Sequence, residues 1–514
     1  MKKLSIIAFL FILGILVLTT SCKKDKPAPV VVKVDSLSLE INQFIWYGLS
    51  GYYLWSDSVH ALSTNAYNTT TDLDNFLIPY TDHEQLFNSL LYPTRDHWSW
   101  IVPDYTVLEQ QFQGITLSMG YDFGLLLFSR TSNQIFGYVK YVTKGSPADL
   151  AGMKRGDIFT KVNGKALTTA NYQTLLINSN SYYLTLDSIS GNTIMYWRDT
   201  KPMVAAVVSE DPIYLDTVFN IAGTNIGYLV YNQFISNYDL ELYDVFKKFK
   251  NAGIQKLILD FRYNPGGSVQ TAKYFASMIY STNTSNILLE TQYNNYLESE
   301  LANTYGQEYF YQYFEDSIHA DGNNPGVAIS SLGLGSMCVI VSGNTASASE
   351  LTINELKPYI NVFLVGDTTV GKYVASVTLY DSDPNGIYDS TAGEKVNPNH
   401  KWAMQPIILK IANKLGVSDF YNGFAPDYRI SEYDYLGSFL PFGDIKEPLL
   451  HAAINNVMGY PQTKSFKQSG FIKVADLKES IPHYDEMYFH PRDLKLKGSA
   501  IKKALKDNFL LKKK

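Results

Sequence analysis

The sequence predicts a multidomain α/β protein, and three observations support that fold class. At 514 residues the chain is too long for one hydrophobic core and corresponds to about three or four folding units. Apolar residues recur at helical spacing over 37–105, and short apolar runs between turn residues follow over 106–203. Strand and helix patterns then alternate over 204–459, which is typical of a parallel sheet covered by helices.

The composition excludes two classes of protein. Hydrophobic residues make up 46% of the chain and aromatic residues 14%, which is incompatible with a disordered polypeptide. The 43 Lys and Arg residues are outnumbered by 49 Asp and Glu residues, for a formal net charge of −6. Because no general basic field exists, we expect no nucleic acid among the partners.

The N-terminus has the pattern of an export signal. A charged start precedes an apolar run that ends at Leu18, too short for a membrane span, so residues 1–22 are predicted to be a signal peptide. Cys22 at the cleavage point resembles the lipobox of bacterial lipoproteins, although Thr19 stands where an aliphatic residue is usual. The resemblance implies a lipidated Cys22, a linker over 23–36 and a membrane anchor in the bacterial cell envelope. Cleavage without lipidation is the alternative.

The second cysteine, Cys338, stands in the apolar run before a turn and is expected to be a core residue rather than a nucleophile. Paired cysteines at metal-binding spacing and an H-E-x-x-H sequence are both absent from the sequence. We therefore expect no metal and no other cofactor.

The first folded region is predicted to be helical. Helices are expected over 39–49, 71–76 and 82–91, within a domain that spans 37–105. Asp96-His97-Trp98-Ser99-Trp100 ends this region, and His97 is expected to have a structural role because no second histidine is nearby.

The next region contains turn and helix signals in a fixed order. Gly145-Ser146-Pro147-Ala148 starts a short helix, a Gly-Asp turn follows, and Asn163-Gly164 marks a second turn. This order resembles a PDZ domain of the bacterial kind over 106–203. Such domains bind an extended peptide, often the C-terminus of a protein, along a sheet edge. The resemblance places the carboxylate-binding loop at Phe112, Gln113, Gly114 and Ile115; a groove that only packs against the rest of the protein is the alternative.

Three sequence blocks in the α/β region carry the chemistry. The first, residues 259–267, ends a buried strand in Asn-Pro-Gly-Gly. The second, residues 346–350, places small residues between a strand and a helix, a turn that exposes a serine hydroxyl and helix N–H groups. The third, residues 369–372, brings a lysine to the end of the next strand. A neutral lysine can take the proton of a serine, whereas a charged one cannot.

These blocks, in this order behind a PDZ-like region, resemble the C-terminal processing (tail-specific) peptidase family. The family pattern implies a crotonase-like α/β peptidase core over 204–459. It also implies Ser347 as nucleophile and Lys372, 25 residues later, as general base. The N–H group of Ala348, with that of Gly266 or Gly267, would form the oxyanion hole. Within the same blocks, Asp260 and Arg262 are expected to pair and brace the turn, and Ser349 and Glu350 to cap and pack the helix.

One position departs from the family pattern. Better-known members have a glutamine four residues after the lysine to hold its amine, and here Ser376 occupies that position. A hydroxyl could hold the amine over a shorter reach, or another group could do so. Ser376 is therefore the candidate lysine-orienting residue.

Two further segments show little chemistry. Residues 283–324 form a polar, tyrosine-rich insertion that could frame substrate or shield the site. Residues 460–514 form a C-terminal extension with little periodicity, predicted to be partly disordered.

The leading hypothesis is a lipid-anchored serine endopeptidase with a Ser-Lys dyad. It would cut exported or unfolded proteins after the PDZ-like domain recognises their C-terminal tails. The alternative is a catalytically weak or inactive peptide-binding lipoprotein of the same fold, and a third interpretation is a hydrolase acting on a non-peptide acyl bond.

Overall fold

The computed structural model describes residues 35–190, 193–319, 326–383, 395–462, 471–477, 485–490 and 494. The predicted signal peptide with Cys22 lies outside the described residues, as does the linker up to residue 34. Within the described ranges, no helix is both long and apolar enough to cross a membrane.

The N-terminal region is helical, as predicted. Asp35 starts the first helix, where its carboxylate accepts the N–H of Leu37 over 3.1 Å, and Thr69 and Asp72 form a reciprocal cap on the second. The apolar face of the first helix, including Trp46, is buried in the same hydrophobic cluster as the α/β core. The elements are α1 Ser36–Tyr52, α2 Thr70–Leu77, α3 His83–Ser89, β1 Trp100–Val102 and α4 Tyr105–Phe112.

A β-rich domain follows and has its own core. Ser146 caps its short helix, and Pro147 occupies the first helical position, where the missing N–H costs nothing. Its principal sheet contains the strand order β3-β4-β5-β8-β9, while β2 pairs with β11. The elements are β2 Ile115–Ser118, β3 Tyr121–Leu127, β4 Ile135–Val142, α5 Pro147–Leu150, β5 Ile158–Val162, β6 Lys165–Ala166, β7 Ser181–Tyr182, β8 Leu184–Ser190, β9 Thr193–Asp199, β10 Met203–Val204 and β11 Ala206–Ser209.

The α/β core contains two six-stranded sheets and smaller sheets of two or three strands. The strands are β12 Ile213–Ile221, β13 Thr224–Tyr231, β14 Lys256–Asp260, β15 Gly267–Ser268, β16 Ile287–Tyr293, β17 Tyr311–Tyr313, β18 Ser317–Ile318, β19 Val327–Ala328, β20 Ser336–Val341, β21 Asn361–Gly366, β22 Val374–Val377, β23 Leu379–Tyr380, β24 Ser382–Asp383, β25 Lys395–Val396, β26 Ala403–Gln405, β27 Ile407–Asn413 and β28 Tyr428–Arg429. The helices are α6 Asp239–Asn251, α7 Val269–Ile279, α8 Asn295–Tyr305, α9 Ala348–Leu356 and α10 Pro448–Met458.

The first of these sheets has the order β12-β13-β14-β20-β21-β28, and β13 to β28 run parallel. The strands β14, β20 and β21 are neighbours, so their carboxyl ends lie side by side at one edge, where ligands bind in open α/β sheets. The predicted multidomain α/β fold is confirmed, and the three sequence blocks follow these three strands.

The C-terminal extension contains two strands that its sequence did not predict. Ile472–Asp476 (β29) pairs antiparallel with β3 at the edge of the β-rich domain. Met487–Phe489 (β30) lies between β15 and β22 in the second core sheet, of order β15-β30-β22-β27-β16-β17. Likewise, β16 lies inside the polar insertion and pairs with β27. These segments have little periodicity because each is short and takes its pairing from strands distant in sequence.

Candidate functional site

Ser347 lies on the turn between β20 and α9. Its backbone has φ 62° and ψ −119°, an uncommon conformation for a residue with a side chain, and such strain is concentrated at functional sites. Its side chain is fully buried, and Oγ has no hydrogen-bond partner among the described residues. The turn therefore presents an unpaired hydroxyl at the start of a helix, as in a nucleophile elbow.

Gly266 approaches this serine closely. A Cβ atom at Gly266 would lie 2.5 Å from Ser347 Oγ and 2.8 Å from the backbone nitrogen of Ala348. Its φ of 110° is also a conformation that favours glycine. The N–H of Gly266 donates to Asn264 Oδ1 over 2.9 Å. Only glycine fits here, beside both the serine hydroxyl and the first N–H of the helix.

Hydrogen bonds join the glycine block to the serine block. The carbonyl oxygen of Asn264 accepts the N–H of Ala346 and the hydroxyl of Ser349, each over 3.1 Å. Behind this turn Arg262 pairs with Asp260, as expected, over 2.7 Å, and also with Glu447 over 2.9 Å. All three ionic side chains are buried, so the network braces the glycine turn from inside.

Glu350 joins the serine block to the lysine block. One carboxylate oxygen, Oε2, accepts the backbone N–H groups of Ser347 and Lys372, each over 2.9 Å. The other, Oε1, accepts the N–H of Gly371 over 2.6 Å and the hydroxyl of Thr369 over 2.5 Å. Burial raises the pKa of Glu350 to about 7, while these four hydrogen bonds oppose the rise. The sequence predicted only capping and packing roles for Glu350.

Lys372 is fully buried between β21 and β22. Its Nζ donates to the backbone carbonyl of Asp485 over 2.9 Å and lies 3.5 Å from Glu486 Oε2. The amine therefore contacts the C-terminal extension in this structure, whereas Ser347 Oγ has no partner in the described part of the protein.

Ser376, the candidate lysine-orienting residue, contacts Glu486. Its Oγ hydrogen-bonds Glu486 Oε1 and lies 3.1 Å from the carbonyl oxygen of Met487. Gln405 Nε2 donates to the same hydroxyl over 3.0 Å. The connection from Ser376 to Lys372 therefore passes through Glu486.

The residues that surround the lysine amine were not predicted from the sequence. Trp100 Nε1 donates to Glu486 Oε2 over 3.1 Å, although 386 positions separate the two residues, and the Trp98 ring lies 5.9 Å from Lys372 Nζ. Burial raises the pKa of Glu486, and the nearby Lys372 opposes that rise. No local pattern marks these residues, because β1 and β30 reach the site only through tertiary pairing.

The predicted carboxylate-binding loop adjoins β30. Phe112 ends α4 and stacks on Tyr488 at 4.0 Å between ring centroids. Gly114 has φ 73° and its carbonyl accepts the N–H of Glu210, while Ile115 begins β2. Gln113 lies between them and caps α4. The loop residues thus lie between the β-rich domain and β30, the strand that directly follows Glu486.

Cys338 is a buried residue of β20, and burial raises the pKa of its thiol, as expected for a core cysteine. Over the described ranges, no group of three or more His, Cys, Asp or Glu side chains is arranged to hold a metal ion.

Three protein-family models match the chain. Residues 225–412 match peptidase family S41, residues 40–100 match the peptidase S41 N-terminal domain, and residues 138–182 match a PDZ domain. The peptidase match contains all three sequence blocks.

The chain is similar to two curated relatives over part of their length. A CtpA-like serine protease of Staphylococcus aureus (strain N315) is 25% identical over 235 residues, which cover 46% of this chain and 41% of the relative. The carboxy-terminal processing protease CtpA of Bacillus subtilis (strain 168) is 26% identical over 293 residues, covering 56% of this chain and 54% of the relative. The matches thus span about half the length of these relatives.

A crystal structure from Bacteroides fragilis NCTC 9343, described as an S41 protease, has the same fold. It superposes with a TM-score of 0.62 and 23% identity, over 82% of this chain and 98% of that one. Residues 225–412 therefore form a peptidase family S41 region, and an S41 N-terminal domain and a PDZ domain lie ahead of it in the chain.

Proposed function

We propose that the protein is a serine endopeptidase with a Ser347–Lys372 dyad that cleaves exported or unfolded proteins. One observation supports the proposal above all: Glu350 Oε2 accepts the backbone N–H groups of both Ser347 and Lys372, each over 2.9 Å. This contact keeps the two backbones next to each other in a buried site, where a serine and a neutral amine can exchange a proton.

Ser347 Oγ attacks the carbonyl carbon of the scissile peptide bond while Lys372 Nζ takes its proton. The tetrahedral intermediate collapses to an acyl-enzyme, and the lysine returns the proton to the leaving amine. Water then hydrolyses the acyl-enzyme with the same lysine as base. The strained backbone of Ser347 supports this role, since such a conformation is typical of the sharp strand-to-helix turn that carries a nucleophilic serine.

The oxyanion would be bound by the N–H of Ala348 and by that of Gly266 or Gly267. The closeness of Gly266 to Ser347 Oγ and to Ala348 N supports this assignment. In this structure the N–H of Gly266 donates to Asn264 Oδ1, so its use as an oxyanion donor requires exchange of that bond. One such donor is worth about 10²–10³ in rate.

The lysine amine must move to reach the serine, because here it donates to the carbonyl of Asp485. The lysine side chain has four rotatable carbon–carbon bonds, so rotation about them can redirect the amine while the backbone N–H of Lys372 stays bound to Glu350. We infer that the described arrangement is a resting state of the dyad.

Recognition of a substrate tail by the PDZ domain is the second part of the proposal. PDZ ligands add as antiparallel strands to a sheet edge. At the β3 edge, β29 already pairs antiparallel, with Ile472 opposite Leu127 and Asp476 opposite Gly124. A substrate tail that uses this edge must displace β29. Anchoring through a lipidated Cys22 at the bacterial cell envelope completes the proposal.

The test uses the protein without residues 1–22 and a reduced, carboxymethylated protein as substrate. Ser347→Ala and Lys372→Ala should each lower kcat/KM by about 10³-fold or more. Ser129→Ala and Lys248→Ala, at exposed positions, are the matched controls and should behave as the parent. Full activity in both dyad variants would refute the dyad. Tail-peptide binding by the parent without any turnover would instead favour the inactive peptide-binding lipoprotein.

A further inference from the structure

Glu486 is a buried carboxyl group that faces the lysine of the proposed dyad. It is 4% exposed and belongs to the C-terminal extension. Its Oε2 accepts the indole N–H of Trp100 over 3.1 Å and lies 3.5 Å from Lys372 Nζ. Its Oε1 contacts Ser376 Oγ. The charged groups that act on it within the described residues are Lys372 and the neighbouring Asp485.

The hydrogen bonds of Ser376 indicate the protonation state of this carboxyl group. A serine hydroxyl has one hydrogen to donate and two lone pairs to accept. Gln405 Nε2 donates to Ser376 Oγ over 3.0 Å and uses one lone pair. The carbonyl of Met487, 3.1 Å away, and an ionised Glu486 could both only accept, and the single hydrogen of the hydroxyl cannot serve both. All three contacts of Ser376 Oγ are satisfied together only if Glu486 is protonated and donates to Ser376.

A protonated Glu486 changes what Lys372 can do. A buried carboxylate beside a buried amine favours the charged form of that amine, which cannot accept a proton. An uncharged carboxyl group removes this effect and still leaves Oε2 as an acceptor for the amine. Burial also raises the pKa of Glu486, which agrees with the hydrogen-bond pattern.

We propose that Glu486 is a positioning residue that faces Lys372 in its protonated, uncharged form, so that the amine is oriented and can be neutral when it takes the proton of Ser347. In this role Glu486, together with Ser376, occupies the place that a glutamine has in the family pattern. The inference rests on the proposed Ser-Lys mechanism, but the protonation state of Glu486 can be measured without activity.

The direct measurement is isotope-edited infrared spectroscopy of the protein without residues 1–22, labelled with ¹³C-glutamate. The spectrum of Glu486→Gln is subtracted from that of the parent, so that the difference reports the Glu486 carboxyl group. The expected result is a protonated-carboxyl carbonyl band for Glu486 at pH 7. A carboxylate band at pH 7 in place of it would overturn the inference, whether or not the protein cleaves peptides.

The kinetic measurement compares two substitutions. Glu486→Ala should lower kcat/KM by about 10²-fold. General base catalysis typically accelerates a reaction by about 10²–10⁴-fold, and a misplaced lysine amine loses much of that acceleration. Glu486→Gln, whose amide donates to Ser376 as the acid does, should recover at least tenfold of that loss. The acid limb of its pH profile should coincide with that of the parent.

Three kinetic results would overturn the positioning role. The first is parent-like activity in Glu486→Ala, and the second is no recovery of activity in Glu486→Gln. The third is an acid limb of the Glu486→Gln pH profile shifted to lower pH, because that shift is expected if the substitution removes an ionised carboxylate beside the lysine. Failure of the dyad itself is distinguishable, because Ser347→Ala and Lys372→Ala would then retain activity while the infrared result still reports on Glu486.

Discussion

The backbone nitrogens of Ser347 and Lys372 are both 2.9 Å from one oxygen of the Glu350 carboxylate, so they are at most twice that distance apart. The serine starts a helix after one strand of the sheet, and the lysine follows the next strand. A fully buried carboxylate that accepts both N–H groups therefore sets the spacing between the two blocks.

Replacing Glu350 should separate the two blocks. In Glu350→Gln an amide NH₂ takes the place of one acceptor oxygen and faces two N–H or O–H donors that it cannot satisfy. We expect kcat/KM to fall about 10²-fold or more and the free energy of unfolding to fall by about 2 kcal/mol, since buried donors without partners cost about 1–3 kcal/mol each. Glu241→Gln, at an exposed position of α6, is the control. Parent-like activity in Glu350→Gln would contradict the bridging role.

Glu355 should make stability depend on pH. It is fully buried, both carboxyl oxygens lack a hydrogen-bond partner among the described residues, and burial raises its pKa well above the ordinary value, with Lys273 opposing. A carboxyl group whose pKa is higher in the folded state than in the unfolded state contributes stability below the unfolded pKa of about 4.3. That contribution is lost as the pH rises through the folded pKa. We expect the free energy of unfolding of Glu355→Gln, measured by chemical denaturation, to increase relative to that of the parent between pH 5 and pH 8, because only the parent contains the buried carboxyl group. A difference that stays constant between the two pH values would show that Glu355 does not titrate this way.

Gly266 should tolerate no side chain. Gly266→Ala puts a Cβ 2.5 Å from Ser347 Oγ, so kcat/KM should fall by about 10³-fold. Gly253→Ala tests the backbone effect alone, because Gly253 has φ 60° and a Cβ added there would meet no atom within 4 Å. That control should cost about 1 kcal/mol of stability and leave activity unchanged. Equal activity in the two variants would argue against the close approach of Gly266 to the serine.

The pairing of β29 with β3 should compete with a substrate tail. Asp476 anchors β29 through a buried ion pair with Lys140 over 2.8 Å. Asp476→Asn weakens that pair, so we expect about tenfold tighter binding of a labelled C-terminal peptide, measured by fluorescence anisotropy. Asp216→Asn, which removes the partly exposed pair with Lys248, is the control. Unchanged or weaker peptide binding in Asp476→Asn would place the tail site away from this edge.

Much of the fold followed from local patterns. The helix predicted over 39–49 is observed as Ser36–Tyr52, because its apolar residues recur at helical spacing and are buried in the core. The strand β16 was missed inside a polar, tyrosine-rich stretch, since its assignment depends on pairing with β27, more than a hundred residues later.

The sequence by itself determined the fold class, the order of the regions and the three blocks that meet at the sheet edge. These rest on periodicity, turn residues and spacing, which act over a few neighbouring residues. Only the tertiary structure decided what surrounds the lysine amine: Trp100, Ser376 and Glu486 come from segments far apart in the sequence. Long-range strand pairing brings them together, and no local pattern encodes a contact between a carboxyl group and an amine that only that pairing creates.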